Sequence, residues 1–180
     1  MASRRRLLKV DRSAPFSFEK VGADPLAEFH SVASEDPAAL SISTIDMAKV
    51  KLVPILDVVN SKPCQINETI MKNLAELREQ GYILLDAKVA EALLLNPEYI
   101  PEEWREITNV DQLSEKTGTI RFDGTVFNAL LRDQPTVLAP AFDRGRWEVG
   151  VASFVYPEEY ARLCERAYVT MKVYSVVMER

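Results

Sequence analysis

The chain has 180 residues, 47% of them hydrophobic and 27% charged, a balance that excludes a chain made up wholly of disordered tail or low-complexity linker and supplies apolar side chains for one buried core. Its net charge is −5, yet Arg4, Arg5, Arg6, Lys9 and Arg12 crowd the start of the chain against Asp11 alone. A basic start precedes an acidic remainder, and the overall balance offers no polyanion-binding face.

Residues 1–23 mix basic, Ser, Pro and Phe residues without sustained periodicity and read as a flexible basic arm that a partner would have to order. Residues 24–44 read as a short helix and a connector. Asp24-Pro25 supplies an N-cap with proline at the first helical position, and Leu26, Phe29 and Ala33 recur at helical spacing over 25–33. Ser34-Glu35-Asp36-Pro37 closes that helix. Residues 45–180 read as a single compact domain that opens on Lys49 to Val53, which alternate like a half-buried strand; Pro54 ends that strand or confines it to a sheet edge.

Asn67 caps a predicted helix whose stripe is Ile70, Met71, Leu74 and Leu77, with Gly81 as its left-handed exit. The apolar run from Tyr82 to Leu85 is too short to assign. Asp86 caps the next helix, which carries Val89, Ala92, Leu93 and Leu94 and stops at Asn96-Pro97. Pro101, Glu102 and Glu103 open a further helical turn, with acids where the helix dipole favours them.

From Gly118 the pattern turns to strands. Asp123-Gly124 predicts a type I′ hairpin between 119–122 and 125–127, and Asp143-Arg144-Gly145 predicts a second turn between Val137–Phe142 and Trp147–Tyr156. Pro157 then starts a C-terminal helix with Tyr160, Cys164, Ala167, Tyr168 and Met171 on one stripe. Val173 to Met178 fits a helix or a strand equally. The expected fold class is therefore α+β, with helices followed by a small antiparallel β-meander and a C-terminal helix, packed as one layer of helices on a sheet.

Chemistry is constrained mainly by what is missing. No window approaches 18 consecutive apolar residues, and Leu7-Leu8 is too short for a secretory h-region, so the expectation is a cytoplasmic protein without a membrane partner. Cys64 and Cys164 lie far apart, and the one histidine, His30, cannot build a His-based metal site of two or more ligands. There is no G-x-G-x-x-G and no P-loop, so neither metal nor cofactor is expected. The acidic pairs Glu102-Glu103 and Glu158-Glu159 sit at helix starts, which explains them without general acid–base catalysis. Phe122-Asp123-Gly124-Thr125-Val126 resembles the D-x-D-G-T signature of haloacid-dehalogenase-type phosphatases. That family's nucleophile falls at Arg121 here, and a guanidinium cannot attack phosphorus. A hydrolase using Asp123 or Asp143 ranks last, and the chain reads as a non-enzyme.

Leu85-Asp86-Ala87-Lys88-Val89, Ile100-Pro101-Glu102-Glu103-Trp104, Phe122-Asp123-Gly124-Thr125-Val126 and Gly145-Arg146-Trp147 together resemble, in order and spacing over roughly 49–150, a widespread group of bacterial sequences without a known activity. The resemblance implies a bacterial or phage origin and a helix-then-hairpin unit, and it implies no catalytic residue. This chain departs from the group's Trp- and Tyr-rich strands at Ala139-Pro140-Ala141-Phe142 and Val149-Gly150-Val151-Ala152.

The expected function is a non-catalytic protein-interaction or assembly module, self-associating or binding a protein partner. The aromatic and apolar surplus near the end places its interface at Trp147, Phe154, Tyr156, Val173, Tyr174 and Val177. The alternative is a nucleic-acid-associated protein that uses Arg4, Arg5, Arg6 and Lys9 for phosphate contacts.

Overall fold

In the computed structural model, described here for residues 6–22, 29–57, 65–108, 118–129, 135–153 and 172–180, the sheet rather than the helices organises the chain. The elements run β1 (Leu7–Lys9), β2 (Phe29–Glu35), α1 (Pro37–Leu40), β3 (Thr44–Asp46), β4 (Val50–Asp57), α2 (Ile66–Glu79) and β5 (Tyr82–Leu84). They continue as α3 (Ala87–Leu95), α4 (Glu102–Thr108), β6 (Gly118–Ala129), β7 (Pro135–Leu138), β8 (Ala141–Asp143), β9 (Arg146–Glu148), β10 (Val151–Ser153) and β11 (Lys172–Glu179).

The expected fold class is overturned. Seven strands form one mixed sheet in the order β10-β7-β6-β11-β4, with β2 added to β6 and β5 added to β11. Its centre is a parallel pair, β6 with β11, in which Lys172 faces Gly118 and Ser175 faces Arg121. A small antiparallel meander cannot contain such a pair. Val173, Ser175, Val176 and Val177 are all fully buried, so β11 is covered on both faces and its sequence lacks the polar alternation that marks a half-exposed strand. That apolar run, interrupted only by Ser175, is why 173–178 reads equally well as helix or strand. The C-terminal helix expected from Pro157 lies outside the described residues.

Two apolar cores flank β11. Val173 and Val177 join Ile66, Ile70, Leu74 and Leu77 of α2, whereas Val176 joins Val89 and Leu93 of α3, Trp104 of α4, and Ile120 and Phe122 of β6. Successive strand residues point to opposite faces, so α2 covers one side of the sheet and α3 with α4 the other. Each fully buried aliphatic side chain in these cores is worth about 1.5–3 kcal/mol over leaving it exposed.

Several local expectations hold. α2 follows its predicted stripe, although it begins at Ile66 behind Gln65, so Asn67 sits within the first turn; Met71 remains 47% exposed, and Gly81 exits at φ 87°. Asp86 caps α3 by accepting a hydrogen bond from Val89 N at 3.0 Å. β4 lies at the end of the sheet order and passes through Pro54 opposite Tyr174, next to a register shift, so proline marks an edge strand without ending it. The turn Asp143-Arg144-Gly145 joins β8 to β9, with Arg144 at φ 46° and Gly145 at φ 84°, as a type I′ turn demands.

Three expectations are corrected. Phe29–Glu35 is strand β2 and not the end of a helix; its backbone pairs with Thr125–Ala129 of β6, and Ser31–Glu35 are all exposed, so no helical stripe is buried there. Asp123-Gly124 is no turn. It lies inside the twelve-residue strand β6, and neither residue has a positive φ. The flexible-arm reading fails for residues 6–22. β1 pairs with β3, and Leu8 and Val10 are 2% and 4% exposed in the main core. Two apolar residues in a basic segment carry too little periodicity to announce this docking.

Candidate functional site

The segment 11–18, which crosses the N-terminal end of α3, is fastened by Arg12. Its Nε donates to Ile42 O at 2.8 Å and its Nη2 to Ala39 O at 2.9 Å, and both terminal nitrogens bind the Asp86 carboxylate. Asp86 is 1% exposed, so this ion pair is shielded from solvent on the carboxylate side. One turn further along, Lys88 Nζ donates to Glu91 Oε1 at 2.6 Å, and Glu91 Oε2 accepts Ser17 N at 2.9 Å. Both residues are almost fully buried, at 6% and 3% exposure. Charged residues survive on an otherwise apolar helix because each is paired and hydrogen-bonded. Thr125 Oγ1 of β6 accepts Ala87 N, which ties the start of α3 to the sheet.

Beside this polar floor, Phe16 meets Phe18 edge-on at 4.5 Å between centroids, and both rings lean on Phe127 of β6 at 5.7 and 5.5 Å. Val32, directly across the sheet from Phe127, is 46% exposed, and Leu40 of α1 is 44% exposed. These surfaces line a groove of about 610 Å³ that also reaches Arg12, Lys88 and Glu35. That volume falls within the range of roughly 300–1,000 Å³ typical of ligand-binding clefts.

Asp11 lies in the same segment, and its carboxyl is held below the usual carboxylate value by hydrogen bonds from the Ser13 hydroxyl and amide, with Lys88 and Lys20 adding electrostatic support. A depressed folded-state pKa contributes stability above the unfolded value of 3.8 that is lost as pH falls through the folded value. Ser13→Ala is expected to move the Asp11 titration upward toward its ordinary value. Carboxyl-carbon NMR across pH 2–6, roughly the range in which carboxylates titrate, reads this directly, and an unmoved curve would refute it.

The residues expected at functional sites have mixed fates. Arg4, Arg5, Phe154 and Tyr156 lie outside the described residues. Arg6 is committed to the body, donating to Glu98 O and standing 5.5 Å over the Tyr99 ring. Lys9 is exposed on β1. Val173 and Val177 are core residues of β11, because the apolar C-terminal segment docks on its own sheet, so an interface at those two positions is corrected. Tyr174 is half-buried, with its ring against Gly118. Trp147 is half-buried and turned toward Phe142 at 5.5 Å and toward an apolar void of about 10 Å³ shared with Trp104 and Phe122.

Asp123, considered for hydrolysis, is 3% exposed and bound to Arg121, while Asp143 lies in the β8–β9 hairpin, 3.8 Å from Arg144. Among the described residues no group of three or more His, Cys, Asp and Glu is placed to hold a metal, and no helix is long and apolar enough to cross a membrane. Sequence reasoning missed the groove entirely. Its walls come from segments 12–18 and 31–40 together with Lys88 and Phe127, and no motif or spacing grouped these residues in advance. Comparison with protein-family models, curated proteins and solved structures finds no match for this chain.

Proposed function

We propose that this protein is a non-catalytic interaction module that engages a partner polypeptide, or a second copy of itself, through the groove between segment 11–18 and β2. The observation that carries the reading is the exposure of Val32 and Leu40 over the Phe16, Phe18 and Phe127 rings. Apolar side chains that converge on a concave surface gain about 25 cal/mol for each Å² that a partner removes from water. Met71 and Leu95 are exposed as well, but neither lines this groove, and single exposed apolar side chains are ordinary surface.

The test compares the wild-type chain with Val32→Glu/Leu40→Glu by size-exclusion chromatography with light scattering, followed by partner recovery. Both side chains are already part-exposed, so thermal stability is expected to change by only about 0.5 kcal/mol per site. The wild type is expected to run as a multiple of 20.3 kDa, or to retain a protein partner, and the variant to lose that association by roughly tenfold or more. Identical elution and identical partner recovery would refute the reading. Co-eluting nucleic acid, seen as excess absorbance at 260 nm and dispersed by salt, would instead favour the alternative through the basic N-terminal residues.

A further inference from the structure

We infer that the groove recognises the C-terminal end of a partner chain, with an apolar last residue against the phenylalanines and its free carboxylate on Lys88; the inference rests on the interaction reading above. Three charged side chains line the groove, Arg12, Lys88 and Glu35, and two of them are cations. The carboxylates that balance those cations, Asp86 and Glu91, are buried and not part of the lining, and neither is Asp11, whose charge Lys88 also supports. Lys88 has three ammonium protons, and among the described residues only Glu91 Oε1 accepts one. A lysine 6% exposed that lines the cleft therefore keeps donor capacity for whatever fills it.

An apolar chain end matches this arrangement better than an internal segment does. An internal segment would bring flanking peptide groups, each needing a hydrogen-bond partner away from water. Of the wall hydroxyls, Ser13 Oγ spends its proton on Asp11 and Ser31 Oγ accepts from Asn128, which leaves the single Ser31 proton to serve the carbonyls of an internal segment. A chain end substitutes a carboxylate for one of those peptide groups and offers Lys88 a charge-assisted hydrogen bond.

The probes are acetyl-Gly-Ser-Leu-Phe as the free acid and the same peptide as its C-terminal amide, titrated into the ¹⁵N-labelled full-length chain. The free acid is expected to shift resonances of 13–18 and 31–35 and to bind roughly tenfold more tightly than the amide, within the range of one charged hydrogen bond. Lys88→Met/Glu91→Gln keeps an acceptor for Ser17 N and is expected to erase that preference. Equal binding of acid and amide, with both abolished by Val32→Glu/Leu40→Glu, overturns the role of Lys88 and leaves the groove reading standing. Absence of groove shifts with either peptide at about 5 mM, beyond the weakest affinities of specific contact, overturns the inference, and the chromatographic comparison then judges the groove reading separately.

Discussion

Gly124→Ala is expected to destabilise the chain by about 3 kcal/mol, from overpacking together with weakened backbone hydrogen bonds. A Cβ at this position would lie 2.8 Å from both the carbonyl carbon and the carbonyl oxygen of Leu85, and closer still to Leu84 O. All three are backbone atoms at the end of β5, so no side chain can swing aside. The same contact carries Gly124 N to Leu85 O at 3.0 Å and Asp36 N to Gly124 O at 2.8 Å. Separating the strands to admit a methyl group weakens both bonds, and with them the junction between β6, the end of β5 and the start of α1. For a domain of this size the melting temperature should fall by about 6–12 °C. Urea and thermal unfolding check the value, and a loss below about 1 kcal/mol would mean that β5 and β6 are not in this contact.

Arg121→Met is expected to cost about 3–5 kcal/mol, because it removes the cation from a buried ion pair while the carboxylate stays in place. Both side chains are fully buried, with Arg121 Nε at 3.0 Å from Asp123 Oδ1 and Nη2 on the same oxygen. Asp123 Oδ2 has no hydrogen-bond partner among the described residues, so the pair is the main compensation for burying that charge. Arg121→Met/Asp123→Leu should recover most of the loss, since apolar replacements of similar volume avoid the cost of desolvating both charges. A double variant no more stable than Arg121→Met alone would count against this account. Where the D-x-D-G-T pattern has an aspartate this chain has Arg121, which pairs with Asp123 at the sheet centre, opposite Ser175 of β11.

Asp123-Gly124 and Asp143-Arg144-Gly145 read alike in one dimension, and only the second is a turn. At 143–145 the left-handed conformation is met by residues with nothing packed against Gly145, so local chemistry settles the outcome. At 123–124 the lack of a side chain serves a different end, admitting the Leu84 and Leu85 backbone to the strand. The partner is far away in sequence, and no turn rule refers to it.

The legible features share a physical origin. Asp86 as a cap, Gly81 as a helix exit, the stripe of α2 and the edge character at Pro54 each depend on hydrogen bonds or steric limits within a few residues of the chain. The sequence alone therefore determined where most of these elements stop and which face of α2 is apolar. Tertiary structure decided the rest. It made β2 a strand by giving its backbone β6 to pair with, turned the basic N-terminal segment inward through Leu8, Val10 and Arg12, and set β11 between two cores. The groove belongs to the same class, since Phe16, Val32, Leu40, Lys88 and Phe127 share no spacing along the chain. Strand pairing and groove formation depend on contacts between distant segments, and a periodic pattern records which face is buried without recording what buries it.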